Sequence, residues 1–263
     1  FINASTGAII HYYNNTHEDG DVTSTGPDLN GVNRTIHAYQ QGSAYMMVDI
    51  SKPMYNPQNQ EGTMRTYDAN YTSPSLPGFN PPICTSTNNT WQPAVYSSQY
   101  NAGLTYEYFR TTHNRNSWNN QGGSIISVIN ATEDNGSGMD NAYWNGVCIV
   151  YGNGASSFKP LAGALDVSAH EIGHAFDEAS ANLEYQNQSG AMNEAFSDIA
   201  AAVVERQNWK IGEDVVKPGA FPTGCLRDMS NPHNGGSSLG DPGYQPAHVS
   251  EMYTGTQDNG GVH

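Results

Sequence analysis

The run HEIGHAF, residues 170–176, sets two histidines four positions apart with a glutamate directly after the first. Around it, Ala164, Leu165, Val167, Ala169, Ile172, Ala175 and Phe176 recur at helical spacing with no internal proline. That pattern predicts a helix over 165–179. Positions i and i+4 stack on one helix face, so His170 and His174 aim two imidazoles at one point. No cysteine lies within twenty residues of the pair, which argues against a structural zinc closed by thiolates. A catalytic metal instead takes three protein ligands and keeps a fourth position open.

Two carboxylates follow that could complete the set. Glu178 continues the same helix face and lies too far along it to close on the same metal. Glu194 stands twenty residues past His174, inside GAMNEAFSDIAAAVVE, a second helical pattern that Ser189 and Gly190 are expected to open. The polar ANLEYQNQ between them can turn the chain, so the second helix runs back antiparallel and presents Glu194. A glycine three residues past the second histidine, followed by a third histidine, would give another ligand set; Asp177 occupies that glycine position. The residues read as a His170, His174, Glu194 site.

The chain has 263 residues, enough for one large domain or two modest ones. With 10 Lys+Arg against 25 Asp+Glu its formal charge is −15, which argues against nucleic acid or an anionic membrane as partner. No apolar run is long enough for a membrane-spanning helix. Scarce lysine and abundant Asn, Ser, Thr, Gly and Tyr suit a secreted, extracellular protein. Cys84, Cys148 and Cys225 show no C-x-x-C spacing and leave room for one disulfide in an exported protein. Cys148, in VCIVY, reads as a small buried hydrophobe.

Along the chain, residues 1–15 read as a β-hairpin and 16–31, charged and rich in turn formers, as a linker. Short runs over 34–71 suggest antiparallel sheet, and TSPSLPGFNPPICTSTNNT a long loop. Residues 92–113 have helical spacing; strands follow at SIISVIN and NGVCIVYG. Beyond Trp209 glycine and proline dominate. The chain starts at Phe1 without Met or signal peptide and stops at His263, so it reads as truncated at both ends.

With these residues in hand, the sequence resembles the thermolysin-like neutral zinc metallopeptidases. The likeness extends to DNAYWNG (140–146), SGAMNEAFSDI (189–199), WKIGEDV (209–215), LRDM (226–229) and YTGTQDNGGVH (253–263). It implies an α+β fold with a mainly β N-terminal domain and a mainly α C-terminal domain, largely missing here, the HExxH helix lying at the cleft between them. In those terms residues 1–16 are the end of a propeptide, 17–30 a linker cut at maturation, 31–182 the N-terminal catalytic domain, and 183–263 the start of the C-terminal domain. The propeptide is expected to act as inhibitor and chaperone of a monomeric enzyme that cuts proteins and peptides before bulky hydrophobic residues. The alternative is a catalytically inactive scaffold or binding protein.

The resemblance also implies roles. His170, His174 and Glu194 would hold one catalytic zinc, and Glu171 would be the general base acting on its water. Asp198 would orient a zinc histidine; Tyr185 and His263 would stabilise the oxyanion, with Asp258 orienting His263. Asn141, Ala142 and Trp144 would bind substrate by strand addition, and Arg227 would contact a substrate carbonyl. Phe158, Leu161, Val167, Ile211, Val215 and Leu226 would form the apolar pocket for the residue after the scissile bond. Asp166, Glu205, Asn208 and Glu213 match a calcium site; Lys210 replaces an acidic ligand there, which leaves one structural calcium.

Overall fold

The computed structural model describes residues 19–251. Two sheets and three long helices make up the body. The first sheet runs in the order β1 (Gly20–Pro27), β2 (Asn33–Gln41), β3 (Ala44–Met46) and β6 (Thr85–Ser86). The second contains β4 (Val48–Asp49), β5 (Met64–Asp68), β7 (Ile125–Ala131), β9 (Ile149–Gly152) and β8 (Ala142–Trp144), in that spatial order. The helices are α1 (Pro93–His113), α2 (Leu165–Glu178) and α3 (Asn187–Glu205), and a short ribbon of β10 (Lys210–Ile211) and β11 (Arg227–Asp228) follows.

The expected linker over 17–30 is corrected by β1. This strand pairs antiparallel with β2 from Gly20↔Gln40 to Pro27↔Asn33. Its buried positions are Ser24 and Gly26, with Val22 half-buried on the same face, so a single apolar residue gives little alternation to read. Gly26 is there for contact: a Cβ would lie 2.5 Å from the Tyr96 ring. The turn is built by Asp28, whose Oδ1 accepts N–H bonds from Asn30 and Val32, both at 2.9 Å, while Oδ2 holds Arg34 at 2.7 Å. The hairpin expected over 1–15 lies outside the described residues.

The antiparallel expectation over 34–71 holds for β2–β3 and β4–β5, but β5 joins β7 in parallel, as β7 joins β9. A parallel pair needs a crossover, and α1 lies between β5 and β7 in the chain. Pro93 opens that helix, where a missing N–H costs nothing. The edge of this sheet is β8, antiparallel to β9.

Helix α2 ends at Glu178, as its apolar spacing predicts within a residue. Helix α3 begins three residues before Gly190, with Gln186 rather than Ser189 at its N-cap. The two helices pack closely because Gly173 allows it: a Cβ there would sit 2.9 Å from Ser197 Cα. All three cysteines are free. Cys84 and Cys225 are buried, whereas Cys148 is half-buried against the small cluster around Val128 and Val150. Among the described residues no helix is long and apolar enough to cross a membrane.

Candidate metal centre and cleft

Helices α2 and α3 bring three donor atoms together. His170 Nε2 and His174 Nε2 lie 3.0 Å apart, and Glu194 Oε2 lies 3.1 Å from the first and 3.6 Å from the second. Four ligands at about 2.0–2.1 Å from a tetrahedral metal stand about 3.3 Å from one another, so the triangle has the size that zinc requires. The tautomers agree. His170 Nδ1 is 2.8 Å from Asp198 Oδ1, and His174 Nδ1 is 2.5 Å from Asn193 Oδ1. Each Nδ1 therefore carries the proton and each Nε2 turns a lone pair inward. Burial lowers the pKa of His170, but the carboxylates of Asp198 and Glu194 outweigh it and lift the value to about 10.

Asp198 is only 1% exposed and is held from its other side as well. Arg227 forks onto it, with Nε–Oδ2 and Nη2–Oδ1 both 2.7 Å. The expected contact of Arg227 with substrate is thus joined by a buttressing role that motif matching does not reveal, because the two residues are 29 positions apart. Asn193 was also missed. It accepts from His174 and donates its Nδ2 to Asp177 Oδ2 at 2.8 Å. Its place beside Glu194 in NEAF was the available signal.

Glu171 is 5% exposed. Burial raises its pKa, and His170, His174 and the backbone N–H of Trp144 work the other way. That N–H donates to Glu171 Oε2 at 2.9 Å, tying the carboxylate to edge strand β8. Tyr185 O–H donates to Glu194, so this expected oxyanion donor stands on a candidate ligand carboxylate while nearly half exposed. Asp258 and His263 lie outside the described residues.

The centre opens into a cleft of about 890 Å³. Asn141, Ala142 and Trp144 form one wall, while Phe158, Leu161, Val167, Ile211, Leu226 and Arg227 line the end beside the start of α2. Val215 is the exception among the expected pocket residues. At 1% exposure it does not line the cleft and packs behind it in the main core.

A second cluster lies behind α2. Ligand atoms of Asp166, Glu205 and Glu213 all fall within 4.8 Å of one another. Burial, with the neighbouring carboxylates adding to it, lifts Asp166 to about 7 and Glu205 to about 8, although backbone N–H groups of Gly212 and Val167 pull Asp166 back. Glu205 Oε2 and Glu213 Oε2 are buried without a hydrogen-bond partner. Asn208 donates its Nδ2 to Glu213 Oε1 at 2.5 Å, beside the cluster. Oxygen donors left unpaired in this way suit a hard cation such as calcium.

Comparison with known proteins places the chain in a family. The thermolysin metallopeptidase catalytic-domain model matches residues 23–178, and the alpha-helical-domain model matches 181–263. Bacillolysin of Brevibacillus brevis is 40% identical over 265 residues, covering 100% of this chain and 45% of the relative. Neutral protease B of Bacillus subtilis (strain 168) is 35% identical over 269 residues, with 100% and 46% covered. The chain thus spans about half the length of these curated relatives. Among solved structures, the precursor of protealysin, a metalloproteinase from Serratia proteamaculans, superposes with a TM-score of 0.63 at 30% identity, covering 76% of this chain and 63% of that one. Its fold is accordingly thermolysin-like, a β-rich N-terminal domain joined to a helical C-terminal one. With both family models matching in tandem around the His170, His174, Glu194 triangle, the chain belongs to the thermolysin metallopeptidase family.

Proposed function

We propose that the protein is a secreted zinc endopeptidase that hydrolyses peptide bonds on the N-terminal side of bulky hydrophobic residues. The observation that carries this is a buried Glu171 standing next to a zinc-sized triangle and facing a cleft with an apolar end. Zinc, when bound by His170, His174 and Glu194, supplies Lewis acidity and lowers the pKa of a water in the fourth position. Glu171, buried beside that site, would be the base that takes a proton from water and passes it to the leaving amine, a task helped by burial, which raises its pKa. Asp198 and Asn193 hold the histidine protons on Nδ1, so both Nε2 atoms remain ligands.

The substrate lies along edge strand β8 by strand addition, using the backbone of Asn141, Ala142 and Trp144. The side chain after the scissile bond enters the pocket of Phe158, Leu161, Val167, Ile211 and Leu226, with Arg227 at its margin. Tyr185 and His263 serve as oxyanion donors and Asp258 orients His263. Calcium, one ion, binds Asp166, Glu205 and Glu213 with Asn208 nearby. The enzyme acts as an extracellular monomer on proteins and peptides. Residues 1–16 end an inhibitory propeptide; the pairing of β1 supports a maturation cut before Gly20, since a cut within 20–27 would sever a strand of the sheet.

The rival reading, an inactive scaffold, conflicts with the retention of Glu171 in its buried place. Stripping the full-length protein with 1,10-phenanthroline should abolish casein cleavage and added zinc should restore it. Full activity in a rigorously zinc-free preparation would end this reading.

A further inference from the structure

Asp177 stands where a third-histidine motif would need glycine, and the fold gives this carboxylate a place of its own. It lies three residues past His174 in the last turn of α2 and is 8% exposed. Its Oδ2 accepts Asn193 Nδ2 at 2.8 Å and the Leu183 N–H at 2.9 Å. Its carbonyl accepts the Asn182 N–H at 2.7 Å. One residue therefore joins the end of α2, the loop that carries Tyr185, and α3.

An asparagine amide has two faces of nearly the same shape, and its neighbours decide which one points where. Asn193 turns Oδ1 to His174 Nδ1 at 2.5 Å and Nδ2 to Asp177. A carboxylate only accepts hydrogen bonds. Nδ2 must therefore face Asp177, which leaves Oδ1 for His174. Ser197 acts in the same sense. Its hydroxyl donates to the Asn193 carbonyl at 3.0 Å, so toward His174 Nδ1, 3.1 Å away, it can only accept. His174 meets two acceptors at Nδ1 and donates there. The reversed amide would put a donor against Nδ1 and drive the ring proton to Nε2, which lies inside the donor triangle 3.0 Å from His170 Nε2. His170 needs no such relay, because its own partner, Asp198, is a carboxylate with no wrong face.

Resting on the zinc endopeptidase reading, we propose that Asp177 is a positioning residue: it sets the face of the Asn193 amide and so keeps His174 a ligand through Nε2. The requirement is an acceptor at this place, not a charge. The Leu183 N–H holds an oxygen there, so Asp177→Asn keeps the acceptor turned to both partners. Asp177→Leu, of similar size, removes it and leaves Asn193 Nδ2 only the Leu183 carbonyl at 3.5 Å.

The test uses the full-length protein and reads zinc, not cleavage. Zinc affinity is measured by competition with a chromophoric chelator, and the His174 Nδ1–H is followed as a downfield proton resonance of the zinc-loaded protein. Asp177→Leu should weaken zinc binding about tenfold, the lower end for an outer partner of a metal-bound histidine, and speed exchange of that ring proton. Asp177→Asn should stay within about threefold of the wild type in affinity and keep the proton protected. Asn193→Asp puts a carboxylate, which has no wrong face, directly on His174. Added to Asp177→Leu, it should return zinc affinity to within about threefold of the wild type, a coupling that independent sites do not show. A residue that merely stabilises the helix end would lower the thermal midpoint without this pattern. Unchanged zinc affinity in Asp177→Leu, a loss of about tenfold in Asp177→Asn, or no recovery in the double variant would overturn the assignment. The last two outcomes decide it even where Asp177→Leu alone does not fold. Zinc-loaded wild type that leaves casein intact would count against the endopeptidase reading instead, since neither readout needs a substrate.

Discussion

Arg227 grips Asp198 through two bonds of 2.7 Å, and Asp198 in turn holds His170 Nδ1 at 2.8 Å, so a guanidinium on β11 fixes the orientation of a candidate metal ligand on α2. Removing Arg227 leaves a carboxylate that is 1% exposed without its counter-charge. Arg227→Met is expected to cost about 3–5 kcal/mol of stability, read from urea unfolding at fixed zinc. Asp198→Asn should weaken zinc binding roughly 10–100-fold while leaving the fold intact, measured by competition with a chromophoric chelator. Unaltered zinc affinity in Asp198→Asn would show that His170 needs no such support.

Base and ligand separate cleanly. Glu171→Gln should retain stoichiometric zinc and lose casein cleavage, by about two to four orders of magnitude. Glu194→Ala should lose the zinc itself. Normal turnover in Glu171→Gln, with zinc content checked by atomic absorption, would remove Glu171 from the mechanism.

Gly173 sets the spacing of α2 and α3. Alanine is the better helix former by up to about 1 kcal/mol, yet its Cβ would meet Ser197 Cα at 2.9 Å. Separating two packed helices costs typically about 1–3 kcal/mol. Gly173→Ala should therefore lower the thermal midpoint and weaken zinc binding together, because the same shift moves Glu194 from the histidines. A rise in both would mean that the helices part freely.

Peptides with Leu or Phe after the scissile bond should be cut far faster than those with Asp or Gly. Burying a large apolar side chain among Phe158, Leu161, Val167, Ile211 and Leu226 gains roughly 1.5–3 kcal/mol. A substrate scan favouring acidic residues at that position would contradict the pocket.

The cluster of Asp166, Glu205 and Glu213 predicts a pH-dependent response to calcium. Folded-state values near 7 for Asp166 and 8 for Glu205 lie above their ordinary 3.8 and 4.5. Without calcium these groups favour the folded state most below their unfolded values, and the contribution is lost as pH rises from about 4 through 8. Calcium replaces the protons, so its effect on the thermal midpoint should be small at pH 5 and largest near pH 8.5. A calcium increment that does not grow over that range would remove the cluster as the binding site.

Helices were the most legible part of the sequence, because their apolar spacing and lack of internal proline are local properties. Residues 92–113 and 165–179 carry that spacing, and α1 and α2 form within a residue of those bounds. Strand β1 was not legible. Its inward face holds Val22, Ser24 and Gly26, only one of them apolar, and what makes it a strand is a partner, β2, with Tyr96 packed against the bare backbone of Gly26. The parallel joining of β5 to β7 is likewise a property of the crossover through α1, which no window of residues contains.

The sequence alone brought the two candidate metal donors together, since i, i+4 spacing on a helix places His170 and His174 side by side whatever surrounds them. It also pointed to Glu194, through a second helix whose intervening turn allowed return. Tertiary structure decided the rest of the centre. Arg227 reached Asp198, Trp144 N–H reached Glu171, and Val215 fell behind the cleft instead of into it. Each of these depends on where distant segments cross and on which side of a packed layer a side chain emerges. Those are outcomes of close packing among elements, and local spacing carries no information about them.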